Sequence, residues 1–163
     1  MRSDLRGLAA SLMTTAPGKR VLVVDDDADL VGLLMAVLQQ NGLTVDTALD
    51  GSEALDRLAE NHYSVVLLDL MMPVLDGFGV IEALERLSTN TMPVVLVMTG
   101  APELIEQLDP RAIHGIVRKP FDVGEVASLV LSCADIRQRG LFETMAIAAV
   151  LAGTPLMALL TRM

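Results

Sequence analysis

Val65-Val66-Leu67-Leu68 runs straight into Asp69, and Pro73 stops any regular structure four residues later. Val21-Leu22-Val23-Val24 runs in the same way into Asp25-Asp26-Asp27. Pro93–Met98 ends in Thr99-Gly100, and Ile113–Arg118 ends in Lys119-Pro120. Carboxylates, a hydroxyl and an ammonium at the ends of apolar runs are a set suited to phosphate. Gathered carboxylates repel unless a cation neutralises them. Mg²⁺ does so, since it takes oxygen ligands and shares them with phosphate oxygens. A hydroxyl and a lysine suit the remaining phosphoryl oxygens, and a carboxylate can itself be the nucleophile, forming an aspartyl phosphate. That chemistry requires the run ends to meet.

The elements between them say that they do. A short uninterrupted apolar run reads as a strand buried on both faces, as in parallel sheets. Arg20–Val24, Ser64–Asp69, Pro93–Met98 and Ile113–Arg118 are four such strands, and the alternating Leu43–Ala48 is another. Ala28–Gln40 carries Leu30, Val31, Leu33, Leu34, Val37 and Leu38 at helical spacing, closed by Asn41-Gly42. Further helices are expected over Ser52–Asn61, with Ser52 as N-cap, and over Phe78–Leu87 after the Asp76-Gly77 turn. Pro102–Leu108 reads as a short helix opened by proline, and Phe121–Ile136 as the last. Strands separated by helices imply an α/β fold with a parallel sheet and right-handed crossovers. Every strand then delivers its carboxyl end to one edge, where open α/β sheets bind ligands. Asp25, Asp26, Asp69, Thr99 and Lys119 become neighbours there.

Composition narrows the partners. Among 163 residues there are three Phe, one Tyr and no Trp, so no aromatic platform for nucleic-acid bases is available. Residues 21–136 hold 19 acidic against five basic residues, a balance that opposes direct contact with phosphate backbones. The lone Cys133 rules out an internal disulfide, fits a reducing, cytoplasmic compartment, and sits on an apolar helical face as a core residue. His62 and His114 lie near element ends without a metal-ligand pattern and receive no site role. Asp27 reads as a helix N-cap rather than a ligand.

Taken together, Val-Leu-Val-Val-Asp25-Asp26-Asp27, Leu-Leu-Asp69-Leu-Met-Met-Pro73, Asp76-Gly77, Val-Met-Thr99-Gly100 and Arg-Lys119-Pro120-Phe121 resemble the receiver domain of two-component response regulators over about residues 19–136. The resemblance implies a doubly wound, flavodoxin-like five-stranded sheet of order 2-1-3-4-5. It implies Asp69 as phosphoacceptor, served by a histidine kinase or a histidine phosphotransfer protein, and Asp25, Asp26, Asp69 and the carbonyl of Met71 as Mg²⁺ ligands. Thr99 and Lys119 would bind phosphoryl oxygens, Thr99 would move on phosphorylation, and the Lys119-Pro120 bond would be cis.

Three departures stand out against that pattern. Ile116 occupies a switch position that is usually aromatic. The Thr99–Lys119 interval is short, so the fourth helix should be reduced or irregular. Met71 and Ala101 put no polar side chain where family members with rapid turnover orient the attacking water, which implies slow self-dephosphorylation.

The ends divide the chain into a flexible tail over residues 1–18, the receiver over 19–136 and an apolar helical extension over 137–163. Leu141–Thr161 carries one charge, Glu143, and must be buried or meet a membrane. Docking or dimerisation is preferred over a membrane anchor, because Gly153-Thr154-Pro155 would break a single span. With no room after residue 136 for a helix-turn-helix module, the leading expectation is a stand-alone phosphoacceptor, not an enzyme, signalling to a downstream protein. Two rivals remain: a haloacid-dehalogenase-like phosphatase built on Asp25-x-Asp27, and a receiver-like interaction module independent of phosphate.

Overall fold

Strand β3 (Val65–Asp69) is buried along its whole length at the middle of a five-stranded parallel sheet. The computed structural model describes residues 19–87 and 92–138, so the tail over 1–18 and the extension beyond 138 lie outside the described residues. The elements run β1 (Arg20–Val24), α1 (Ala28–Gln40), β2 (Thr44–Ala48), α2 (Gly51–Glu60), β3, α3 (Gly77–Glu85), β4 (Val94–Thr99), a 3₁₀ segment (Pro102–Gln107), β5 (Gly115–Arg118) and α4 (Val123–Gln138). The sheet order is β2-β1-β3-β4-β5, with every pair parallel, as the resemblance implied.

The strand period of two divides the core. Val21 and Val23, Val65 and Leu67, Leu96 and Met98 face one layer, where α1 supplies Val31, Leu34 and Leu38 and α4 supplies Val126, Val130 and Cys133. Leu22 and Val24, Val66 and Leu68, Val95 and Val97 face the other, against Ala54 of α2, Val80, Ile81 and Leu84 of α3, and Leu108 and Ala112. Because both faces are covered, the inner strands show no polar alternation, which is why they read as continuous apolar runs.

Aspartates start the helices. Asp27 accepts from the N–H groups of Asp29 and Leu30, Asp50 from Glu53, and Asp76 from Gly79. Helix α2 therefore begins one residue before Ser52, whose expected capping role belongs to Asp50. The reduced fourth helix is a 3₁₀ segment rather than a short α-helix; no side chain caps it, and Pro102 cannot donate a backbone hydrogen bond. The Lys119-Pro120 bond is cis.

His114, just before β5, is tied to β4 twice. Its N–H donates to the Val95 carbonyl at 2.8 Å, and its Nδ1 accepts from the Val95 N–H at 2.9 Å. Burial, with the Arg137 charge as a lesser cause, pushes its pKa down to about 4. The folded state thus holds the ring neutral, whereas the unfolded chain takes up a proton near 6.5. Stability present above pH 6.5 is lost as pH falls through about 4, up to about 3 kcal/mol in all. In His114→Asn, chemical denaturation at intervals from pH 7 to 4 should show a flatter loss; a slope equal to that of the unsubstituted chain would contradict this account.

Candidate functional site

The carboxyl ends of β1, β3, β4 and β5 converge as the parallel register requires, with Asp69 opposite Met98 and Thr99 opposite Arg118. Asp25 is wholly buried, Asp69 nearly so, and Asp26 is exposed. One oxygen from each of these three lies within 4.8 Å of the other two. Lys119 reaches into this group: its Nζ donates to Asp25 Oδ2 at 2.6 Å and to Asp69 Oδ2 at 3.0 Å.

The remaining carboxylate oxygens are held by the backbone. Asp25 Oδ1 accepts from the Asp27 N–H at 3.0 Å, and Asp69 Oδ1 from the Met71 N–H at 3.3 Å. Burial raises the Asp69 pKa, and the nearby Asp25 adds to this; Lys119 and the Met71 N–H act in the opposite direction without cancelling it. For Lys119 burial alone would lower the pKa, but its hydrogen bonds to Asp25 and Asp69 turn the net shift upward. Two buried carboxyl groups thus flank the Lys119 amine, with the third, Asp26, at the solvent side.

Thr99 is buried at the same edge, but its hydroxyl is engaged elsewhere. Its Oγ1 accepts from the Ala101 N–H at 3.0 Å and lies 3.3 Å from the Ala101 carbonyl. The Lys119 N–H donates to the Thr99 carbonyl at 2.9 Å, fixing the two chain segments side by side. Ile116 points out of β5, 38% exposed, and the Met71 side chain is 62% exposed beside Asp69. Asp27 stays out of the group because its carboxylate caps α1, so the Asp25-x-Asp27 pair of the phosphatase reading does not form at this site.

Two supporting features were not read from the sequence. A Cβ on Gly77 would come within 2.3 Å of the Asp69 carbonyl oxygen, so α3 starts against the end of β3 only because residue 77 has no side chain. A Cβ on Gly51 would meet the Leu75 carbonyl oxygen at 2.4 Å, the same atom to which the Gly51 N–H donates at 3.0 Å. The Asp76-Gly77 pair spelled a turn, but nothing in the spacing showed what the glycine approaches. Val74, in the loop after Asp69, takes a φ of 69°, a left-handed conformation that is strained for a β-branched residue.

The three carboxylates form an all-oxygen donor set, which fits a hard divalent ion such as Mg²⁺ rather than a metal preferring sulfur or imidazole. No helix among the described residues is long and apolar enough to cross a membrane.

A family model described as the response regulator receiver domain matches residues 21–131. The chain is 37% identical over 129 residues to the transcriptional regulatory protein PrrA of Mycobacterium bovis, covering 78% of this chain and 54% of that protein. It is 34% identical over 122 residues to YkoG of Bacillus subtilis, an uncharacterized transcriptional regulatory protein, covering 74% and 52%. The chain thus spans about half the length of the curated relatives it matches. Among solved structures it is similar to the response regulator TrrA of Thermotoga maritima, in complex with Mg²⁺ and BeF, with a TM-score of 0.63 and 30% identity over 71% of this chain and 98% of that one. The chemotaxis response regulator CheY4 of Vibrio cholerae gives a TM-score of 0.63 at 27% identity, over 71% and 98%.

The raised Asp69 pKa has a consequence for stability. Above that pKa the folded chain holds a charged carboxylate that the unfolded chain solvates better, so Asp69 opposes folding at neutral pH. With divalent ions chelated, Asp69→Asn should unfold at a higher temperature than the unsubstituted chain at pH 7.5. The gain should shrink as pH falls through the Asp69 titration. An equal or lower melting temperature at pH 7.5 would contradict it.

Proposed function

Since this chain belongs to the response regulator receiver domain family, we propose that it accepts a phosphoryl group on Asp69 in a Mg²⁺-dependent site. The observation that carries the reading is Lys119 bridging Asp25 and Asp69, with Asp26 alongside. Receiver domains are phosphoacceptor switches rather than enzymes in their own right, and the donor in this reading is the phosphohistidine of a histidine kinase or phosphotransfer protein.

An Asp69 carboxylate oxygen attacks phosphorus; the O–P bond forms as the P–N bond breaks, and the departing imidazole takes a proton from solvent. Asp25, Asp26, Asp69 and the Met71 carbonyl would hold Mg²⁺, which when bound neutralises charge on the phosphoryl oxygens. Lys119 would exchange its hydrogen bond to Asp69 Oδ2 for one to a phosphoryl oxygen. The Thr99 hydroxyl would leave Ala101 and donate to another. Movement of Thr99 would in turn allow Ile116, the neighbour-strand residue across from Val97, to turn inward.

Downstream, the reading is of a cytoplasmic receiver whose described body signals through protein contacts rather than through direct contact with nucleic acid. The acidic balance of residues 21–136 supports this, as does the composition of residues 137–163, apolar with three arginines rather than densely basic.

Incubation of the full chain with acetyl phosphate and Mg²⁺ should add one phosphoryl group, mapped to Asp69 by peptide mass analysis. Asp69→Asn should abolish the gain, and chelation should suppress it. A label at another residue, or none, would overturn the reading and favour a receiver-like module independent of phosphate.

The acyl phosphate should also be long-lived, since Met71 and Ala101 offer no polar side chain to orient water. Met71→Asn should shorten its lifetime several-fold in a phosphate-release assay. A half-life of seconds in the unsubstituted chain would contradict this expectation.

A further inference from the structure

The loop after Asp69 is held from outside the group of carboxylates. Helix α2 opens at Gly51, whose N–H is one of the amides that a helix start leaves without an internal partner. It donates to the Leu75 carbonyl at 3.0 Å, in the loop that joins Asp69 to α3. The donor itself is fixed: Glu53 gives its N–H to Asp50 Oδ1 at 2.9 Å and takes the Leu49 N–H on Oε2 at 3.0 Å. Upstream of Gly51, the Ala48 carbonyl accepts the Asp25 N–H at 3.2 Å. Residues 48–51 are therefore bonded to the backbone of Asp25 at one end and to the loop beyond Asp69 at the other. Asp50, the one carboxylate among them, caps α2 and is not part of the group of three.

The loop bears the mark of that hold. Leu75 donates its N–H to the Pro73 carbonyl at 2.9 Å, which with the φ of 69° at Val74 closes a tight turn of the rare, strained kind. Val74 is 86% exposed, so packing of its own side chain does not impose that conformation. Such strain persists only where the surroundings over-determine the backbone. Those contacts fall on Leu75, whose carbonyl is bonded to Gly51 and whose side chain packs against the second core layer. The approach is close as well as bonded. A Cβ at residue 51 would lie 2.4 Å from the Leu75 carbonyl oxygen and 3.0 Å from its carbon, backbone atoms that no rotamer change moves aside. At the other end of the same loop, the Met71 N–H holds Asp69 Oδ1.

We infer that Gly51 is a positioning residue for the acceptor site: by holding Leu75 it sets where residues 71–75 lie, and so where the Met71 carbonyl meets a divalent ion beside Asp69. The inference rests on the Mg²⁺-dependent Asp69 reading above and adds to it a residue that carries no functional group. The same hold spaces Asp25 from the acceptor loop, because residues 48–51 are bonded to both. Alanine is a better helix former than glycine, so Gly51→Ala does not weaken α2 as a helix. A loss of metal affinity in that variant comes from the displaced loop.

The test is titration of the full chain with Mg²⁺ alone, followed on the Met71 amide signal, with Gly51→Ala beside the unsubstituted chain. Affinity in Gly51→Ala should fall about tenfold or more, as for other residues that orient metal ligands without touching the metal. Equal affinity in the two chains overturns the inference and leaves the reading above standing. No Mg²⁺ binding by the unsubstituted chain overturns both. Should Gly51→Ala fail to fold, amide exchange in the unsubstituted chain decides. The Gly51 N–H should exchange slowly, and saturating Mg²⁺ should slow it about tenfold further, since a hold that favours the ion is favoured by it in turn. The Asn61 N–H, bonded to the Arg57 carbonyl at the other end of α2, should not follow. A Gly51 amide that exchanges freely, or a slowing that Asn61 shares equally, overturns the inference.

Discussion

Lys119 stands between two buried carboxylates, and its position decides what the sheet edge can do. Asp25 and Asp69 lie on adjacent strands, whereas Lys119 follows β5, with the end of β4 in between. Strands are spaced by about 4.8 Å, so the ammonium must cross two strand positions to reach Asp69 and three to reach Asp25. The Lys119 N–H bond to the Thr99 carbonyl fixes where the side chain starts, and the four-carbon stem covers the rest. Residue 100 does not crowd that path, since even an added Cβ there would meet the Lys119 Cβ only at an ordinary contact of 4.0 Å. Removing Lys119 would leave two buried carboxyl groups facing each other with no cation between them, at a cost of about 3–5 kcal/mol. The site is therefore held by the same ion pairs that a phosphoryl group would have to rearrange.

Backbone contacts confine that group as firmly as the charges do. The Asp27 and Met71 N–H groups hold one oxygen each of Asp25 and Asp69, leaving the other oxygens to Lys119. Behind Asp69, Gly77 lets the start of α3 approach its carbonyl, and the Gly77 N–H donates to the Leu70 carbonyl at 3.1 Å. A larger residue at 77 would push α3 away and shift the end of β3 with it. The glycine is a packing requirement of the site even though it contributes no functional group.

Most of this was legible because burial on both faces writes itself into the sequence as uninterrupted apolar runs, and the residue that breaks each run marks a strand end. Asp25, Asp69, Thr99 and Lys119 were found in that way, and the parallel topology then required them to meet. The helix starts were less legible. Asp50 and Ser52 are both good caps, and only the position of Gly51 against Leu75 decides for Asp50. The consecutive aspartates 25–27 could not be separated by type; the backbone separates them, burying the first, exposing the second and capping α1 with the third. Spacing also gave no hint that Lys119 would bridge the carboxyl groups, since that depends on how the ends of β1, β3 and β5 are placed in three dimensions.

Thr99 and Lys119 share a further constraint. Each is satisfied in this structure by a partner that is not phosphate: Ala101 for the hydroxyl, and Asp25 with Asp69 for the ammonium. A buried polar group that loses its partner pays a desolvation penalty of about 1–3 kcal/mol. The buried Thr99 hydroxyl keeps its present partner until a new one arrives, while the half-buried Lys119 exchanges more readily, and the two are linked by the Lys119 N–H bond to the Thr99 carbonyl. An incoming anion at Asp69 would offer acceptors to both at once. The resting arrangement is then not a loosely formed version of the bound one but a separate, fully hydrogen-bonded state. A sheet edge with two such states, joined at neighbouring residues of β4 and β5, has the physical requirement for behaving as a switch.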